Sequence, residues 1–133
     1  MEWESWLAAA PESAAIARGI VRKAAGEYGL DDEAVWDLML ATTEAVANAV
    51  LHGQGCADNA AIRLRIRATD EGLFVEVCDC GRFGGRRREP VTKESLGGRG
   101  IPLMCAVTDD FELLPETGGT RVRFGKRGVA AAA

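Results

Sequence analysis

With 133 residues, 47% hydrophobic and 27% charged, the chain is long enough to bury the core of one domain without disulfide or metal staples. A net charge of −4 and an isoelectric point near 5.1 argue against nucleic acid as its main partner. No apolar run is read as reaching the length of a membrane span, and the acidic start MEWESW is unlike a basic signal peptide, so the expected setting is the cytoplasm.

In chain order, residues 2 to 8 (EWESWLA) suggest a short edge strand or a partner-contacting arm, with Trp3 and Trp6 expected against the core. Pro11-Glu12-Ser13 opens a first helix whose apolar stripe includes Ile16, Ile20, Val21 and Ala24, and Tyr28-Gly29 closes it. Asp31-Asp32-Glu33 is the acidic start of a second helix that runs to His52-Gly53. After the loop 53 to 59 comes IRLRIRA (62 to 68), with Ile62, Leu64 and Ile66 on one face and an arginine row, read as solvated, on the other.

Asp70-Glu71-Gly72 turns the chain into LFVEV (73 to 77), the return strand of a hairpin. Residues 82 to 96 carry glycines, arginines and a proline with no regular pattern, as a functional lid or irregular loop does. Gly97-Gly98-Arg99-Gly100 then leads into a helical pattern ending at Val107, a start at which exposed amides favour a phosphate. DDFELL (109 to 114) and TRVRF (120 to 124) are two further strands. The order predicts a two-layer α/β sandwich of α+β class, a mixed, largely antiparallel sheet with helices on one face. One domain is expected over 1–133, with its core at about 2–126 and a frayed tail at 127–133.

The chemistry concentrates in LMLATTEAVANAVLHG, Leu38 to Gly53. Nearly every residue there is apolar or small, which describes a buried helix. Glu44 and Asn48, at i and i+4, project along one line, with His52 a turn further on. Either Glu44 sits at a helix rim, or the line faces a cleft where carboxylate and amide oxygens serve a metal ion or a proton transfer. The cysteines, Cys56, Cys78, Cys80 and Cys105, fit neither a redox CxxC nor a zinc knuckle and are expected to be reduced.

Four features recur in order: Glu44 to Gly53, Asp79-Cys80-Gly81, Gly97-Gly98-Arg99-Gly100 and Gly119-Thr120. Together they resemble the N, G1, G2 and G3 boxes of the GHKL (histidine-kinase-like) ATPases, and within that superfamily the small bacterial anti-sigma factor serine/threonine kinases. The resemblance covers about residues 2 to 126. It implies the GHKL fold, ATP or ADP and Mg²⁺ as ligands, and a homodimer. Partner switching is implied as well: the protein sequesters a sigma factor and phosphorylates a serine or threonine of an anti-anti-sigma antagonist.

On the matching positions, Asn48 would coordinate Mg²⁺ and Glu44 would be the general base toward the incoming hydroxyl. Asp79 would accept a hydrogen bond from the adenine amine, with Gly81 giving the base room and Thr120 nearby. Gly97, Gly98 and Gly100, with the amides around Arg99, would cradle the phosphates. His52 reads as a residue that closes its helix. The departure from the family pattern is Phe83, where a glycine usually stands in the first glycine box. It leaves a second reading open, a nucleotide-binding module that sequesters partners with little or no phosphate transfer.

Overall fold

The strict alternation of β2 (Ala61–Thr69) and β3 (Gly72–Asp79) builds the middle of the molecule, because each strand buries one face only. In the computed structural model, which describes residues 1–53, 61–79, 82–83, 86–87, 100–116 and 119–128, these strands pair with β1 (Glu2–Ala8), β7 (Gly119–Arg127) and β6 (Asp110–Glu116). The sheet order is β1-β2-β3-β7-β6. Every neighbouring pair is antiparallel, so the sheet is narrower in type than the mixed one expected. The N-terminal segment resolves into an edge strand.

Leu7, Ile62, Leu64, Ile66, Leu73, Val75, Val77, Val122 and Phe124 point to one side and are buried there. Each contributes about 1.5–3 kcal/mol of transfer free energy. On that side lie α1 (Ser13–Tyr28) and α2 (Asp32–Gly53). α3 (Gly100–Val107) packs against α2 and β6. The two tryptophans part company. Trp3 packs against the core, whereas Trp6 is 63% exposed and stacks under the Arg63 guanidinium, 5.8 Å from the ring centre.

α1 stops where a left-handed residue is needed. Gly29, at φ 98°, ends the helix and donates to the carbonyls of Ala25 and Gly26, and the Leu30 amide returns to Ala25, a Schellman closure. The Tyr28 hydroxyl then donates to the Thr69 carbonyl at 2.7 Å and lies 3.1 Å from that of Gly128. The end of α1 is thereby tied to the end of the sheet where β2 and β7 both finish.

α2 corrects one expectation. Over Asp32–Leu51 it is long and apolar enough to cross a membrane, its apolar residues being interspersed with small and polar ones. Leu38, Ala41, Ala45, Val46 and Ala49 are instead absorbed into the core. The segment after β3 is also more regular than its composition suggests: β4 (Arg82–Phe83) pairs antiparallel with β5 (Arg86–Arg87). β7 extends to Arg127, one residue into the expected tail. Neither Cys78 nor Cys105 is in a disulfide, and Cys56 and Cys80 lie outside the described residues.

Candidate functional site

α2 starts on an acidic turn, Asp32 and Glu33, and the Asp31 carboxylate accepts from the Ala34 amide at 2.8 Å, satisfying one of the amides a helix start leaves unpaired. Asp37, Glu44 and Asn48 follow at i, i+7 and i+11 and so share one flank of the helix. All three are half-buried, between the core side and the outer side of α2. The Asp37 carboxylate meets the Lys126 ammonium at 2.9 Å, which turns this flank toward β7.

Connectivity decides which end of the sheet the flank reaches. Tyr28 holds the α1–α2 junction at the end where β2 and β7 finish. α2 then has to return the chain to the start of β2 at Ala61, at the opposite end. That opposite end is where β3 finishes at Asp79 and β7 enters through Thr120, and the two residues are direct partners in the ladder. From Asp37 to Asn48 the helix advances about 16 Å at 1.5 Å per residue. From Lys126 back to Thr120 the strand covers about 20 Å. Glu44 and Asn48 therefore lie along the half of α2 that approaches Asp79 and Thr120.

The side chains carry their own signal. Thr120 is 3% exposed, and neither its hydroxyl oxygen nor the buried Asn48 amide nitrogen has a hydrogen-bond partner among the described residues. Leaving a buried polar group unpaired costs about 1–3 kcal/mol, so two at one end of a domain mark a place built to receive polar atoms. The Thr42 hydroxyl is in the same condition but belongs to the core side of α2, being 0% exposed. Glu44, Asn48, Asp79 and Thr120 present hard oxygen donors of the kind magnesium takes. Among the described residues no three His, Cys, Asp or Glu side chains form a metal-binding group. A divalent ion here would draw its remaining ligands from phosphate and water, which is the usual habit of magnesium.

α3 ends beside the far end of β7, where the Asp109 amide donates to the Gly125 carbonyl at 2.9 Å. Its first residue is Gly100. Gly81, Gly97, Gly98 and Arg99 lie outside the described residues, and His52 occupies the last turn of α2. Sequence reasoning passed over Asp37 and Lys126, which set the angle of the flank. The available signal was the seven-residue spacing of Asp37 from Glu44.

The helix-free face of the sheet has a different character. Its concavity is lined by Arg65, Glu76, Asp110, Arg123 and Arg127 among others, and its charges are largely paired across strands. Arg65 reaches Glu2, Glu4 and Glu76, Arg63 meets Glu4 at 2.9 Å, and Arg123 bonds Glu112. Hydrogen bonds from Arg65, then from Arg67, hold the Glu2 carboxyl below the ordinary range. The arginine row expected to be solvated is thus half of an ionic ladder.

Residues 7–126 match the family model described as the histidine kinase-like ATPase domain. The chain is 26% identical over 121 residues to the serine-protein kinase RsbW of Oceanobacillus iheyensis, covering 83% of this chain and 77% of that protein. Among solved structures it resembles the RsbU and RsbW domains of Rv1364c from Mycobacterium tuberculosis, with a TM-score of 0.73 and 22% identity over 96% of this chain. It also resembles the histidine kinase domain of the blue-light activated histidine kinase EL346 from Erythrobacter litoralis, with a TM-score of 0.56 and 17% identity over 71% of this chain. It spans 32% and 45% of those two solved chains, and at these identities the likeness is one of fold.

Proposed function

Since this chain belongs to the histidine kinase-like ATPase domain family, a nucleotide-binding fold, we propose that it is a cytoplasmic anti-sigma factor and ATP-dependent serine/threonine protein kinase. In this reading it acts as a homodimer that sequesters a sigma factor and phosphorylates a serine or threonine of an anti-anti-sigma antagonist. The domain comprises the whole chain, with its core at about 2–126. The observation that carries the reading is that Asp79 and Thr120 are ladder partners at the end of the sheet toward which α2 runs with Glu44 and Asn48 on one flank, and that Asn48 and Thr120 each bury a polar atom with no partner among the described residues. The similarity to a serine-protein kinase over most of the chain supports it.

In this reading the Asp79 carboxylate accepts from the adenine amine, with Gly81 and Thr120 beside the base. Gly97, Gly98 and Gly100 and the amides near Arg99 hold the phosphates. The Asn48 amide oxygen is the ligand the chain offers to Mg²⁺, which when bound neutralises charge on the transferring phosphoryl group. Glu44 orients the acceptor hydroxyl and takes its proton as that oxygen bonds to the terminal phosphorus, with ADP leaving.

Calorimetric titration with ATP, with and without Mg²⁺, tests the nucleotide site. Magnesium-dependent binding that Asn48→Ala reduces at least about tenfold supports it, a loss typical of one ionic or hydrogen-bonded contact. No binding by the wild type would overturn it. Transfer of labelled phosphate to the antagonist that Glu44→Gln abolishes, with ATP affinity retained, supports the kinase.

One feature favours the second reading, sequestration with little transfer. Phe83, standing where the family usually has a glycine, pairs with Arg86 in the short β4–β5 hairpin, and a hairpin is less free to rearrange around phosphates than a glycine run. In that case Glu44→Gln leaves partner binding and all measured activity unchanged.

A further inference from the structure

α2 is apolar enough to span a membrane, yet only 39% of its most apolar stretch is buried within the protein. The uncovered part is not scattered. Trp36 is 67% exposed, Leu40 40% and Leu51 61%, and Ala47 is exposed between them. At positions 36, 40, 47 and 51 these residues fall on one stripe along the outer face of the helix. An apolar stripe along one face of a folded domain, here broken between Leu40 and Ala47 by Thr43 and Glu44, marks an interaction surface more readily than apolar residues exposed singly.

The surroundings of the stripe are charged in a definite pattern. At its Trp36 end Asp32 and Glu33 are exposed. Along the α1 side, Arg18 donates to the Thr43 hydroxyl at 3.2 Å, and exposed Arg22 follows one turn later. On the other side stands Glu44, four residues from Leu40 and three from Ala47, so those two are its neighbours on the helix surface, about 5–6 Å away. A protein that presents a hydroxyl to Glu44 from the outer side of α2 covers Leu40 and Ala47, both exposed. The exposed acids at the Trp36 end disfavour an anionic lipid surface in the same place.

We propose that the Trp36–Leu40–Ala47–Leu51 stripe is the docking surface for the phosphoacceptor protein. The acceptor lays an amphipathic segment along it, apolar side chains on the stripe, basic ones against Asp32 and Glu33, and acidic ones against Arg18 and Arg22. This inference rests on the reading of Glu44 as the general base of a protein kinase. Trp36 is its anchor, because a large aromatic with most of its surface open loses the most water on docking.

The probe is the protein that the purified chain labels from γ-phosphate-labelled ATP in a lysate of its source cells, re-purified without phosphate. Its steady-state phosphorylation is measured with the wild type, Trp36→Ser, Leu40→Ser and Glu33→Lys. Ile16→Ser, exposed on α1 and off the stripe, is the control. KM for the acceptor rises at least about tenfold in Trp36→Ser and Leu40→Ser and rises in Glu33→Lys. kcat at saturating acceptor and the Kd for ATP stay at wild-type values, as does every constant of Ile16→Ser. An acceptor KM unchanged in both serine variants overturns the docking surface and leaves the kinase intact, and an altered ATP Kd in them overturns it too. If the wild type labels nothing, or Glu44→Gln labels equally well, the kinase reading itself fails and the docking inference falls with it.

Discussion

Asp79 and Thr120 stand directly opposite each other on β3 and β7, at the end of the sheet toward which α2 carries Glu44 and Asn48. A carboxylate and a hydroxyl on facing positions of the helix-covered side make that rung polar where the two same-face rungs before it, Val77 with Val122 and Val75 with Phe124, are apolar. The Thr120 hydroxyl has no hydrogen-bond partner among the described residues, so the free protein gains little from it. Thr120→Val is therefore expected to leave the melting temperature of the free protein unchanged or slightly raised, since replacing an unpaired polar group by an apolar one is near neutral. The thermal shift produced by ATP with Mg²⁺ shrinks in the same variant. Differential scanning fluorimetry measures both, and a wild-type shift in Thr120→Val would remove Thr120 from the nucleotide site.

The Asp37–Lys126 pair, with side chains 24% and 17% exposed, holds the α2 flank toward β7. Lys126→Met leaves a half-buried carboxylate without its cation, and the expected loss is about 1–3 kcal/mol, between exposed and fully buried pairs. Adding Asp37→Asn recovers part of it. ATP affinity falls in Lys126→Met more than in a surface variant of equal stability, because the flank that carries Glu44 and Asn48 loses its anchor. Urea unfolding and calorimetry together check this, and equal ATP affinities would separate the anchor from the site.

Gly125 on β7 is required by its neighbour on β3. A Cβ there would collide with Phe74 Cδ1 and sit 2.8 Å from the Leu73 carbonyl oxygen, with Phe74 opposite in the ladder. Gly125→Ala is expected to destabilise the protein by about 1–3 kcal/mol, in the range of other overpacking changes. Phe74→Leu in the same chain relieves only part of this, because the Leu73 carbonyl belongs to the backbone. Full recovery in the double variant would show that the side chain alone excludes the methyl group.

Arg127 and Asp110 make a two-pronged pair across β7 and β6, each contact at 2.8 Å. The hydrogen bond from Arg127 holds the Asp110 carboxyl below its ordinary value, against the opposing effect of burial. For a depressed carboxyl the stabilisation is fully present above the unfolded value, about 3.9, and is lost as pH falls through the folded value. Arg127 keeps its charge throughout. Asp110→Asn is thus expected to lower the urea midpoint modestly near neutral pH, since Arg127 is 66% exposed and the pair is screened by salt. The difference from wild type closes as the solution is acidified below the unfolded value, and a difference that stays constant into strong acid would argue against the pair.

Much of this fold is legible in the residues taken alone. Pro11 and Gly29 bracket α1, the acidic turn at Asp32 opens α2, and the alternation of Ile62, Leu64 and Ile66 marks β2, because caps and periodicity are local properties of the chain. Glu44 and Asn48 are legible for the same reason, four residues apart in a stretch otherwise apolar. The order of the strands was not, since β3 pairs with β7 across more than forty residues of sequence and no local rule selects that partner. Nor was the fate of the arginine row, whose acids come from β1 and β3. The sequence by itself determined which residues are chemically able to form a site. Only tertiary structure decided that α2 lies with one flank on β7, bringing Glu44 and Asn48 toward Asp79 and Thr120, because that placement depends on burying Leu38, Ala41, Ala45 and Ala49 in a core shared with the sheet strands and on a salt bridge and a tyrosine bond between segments distant in the chain.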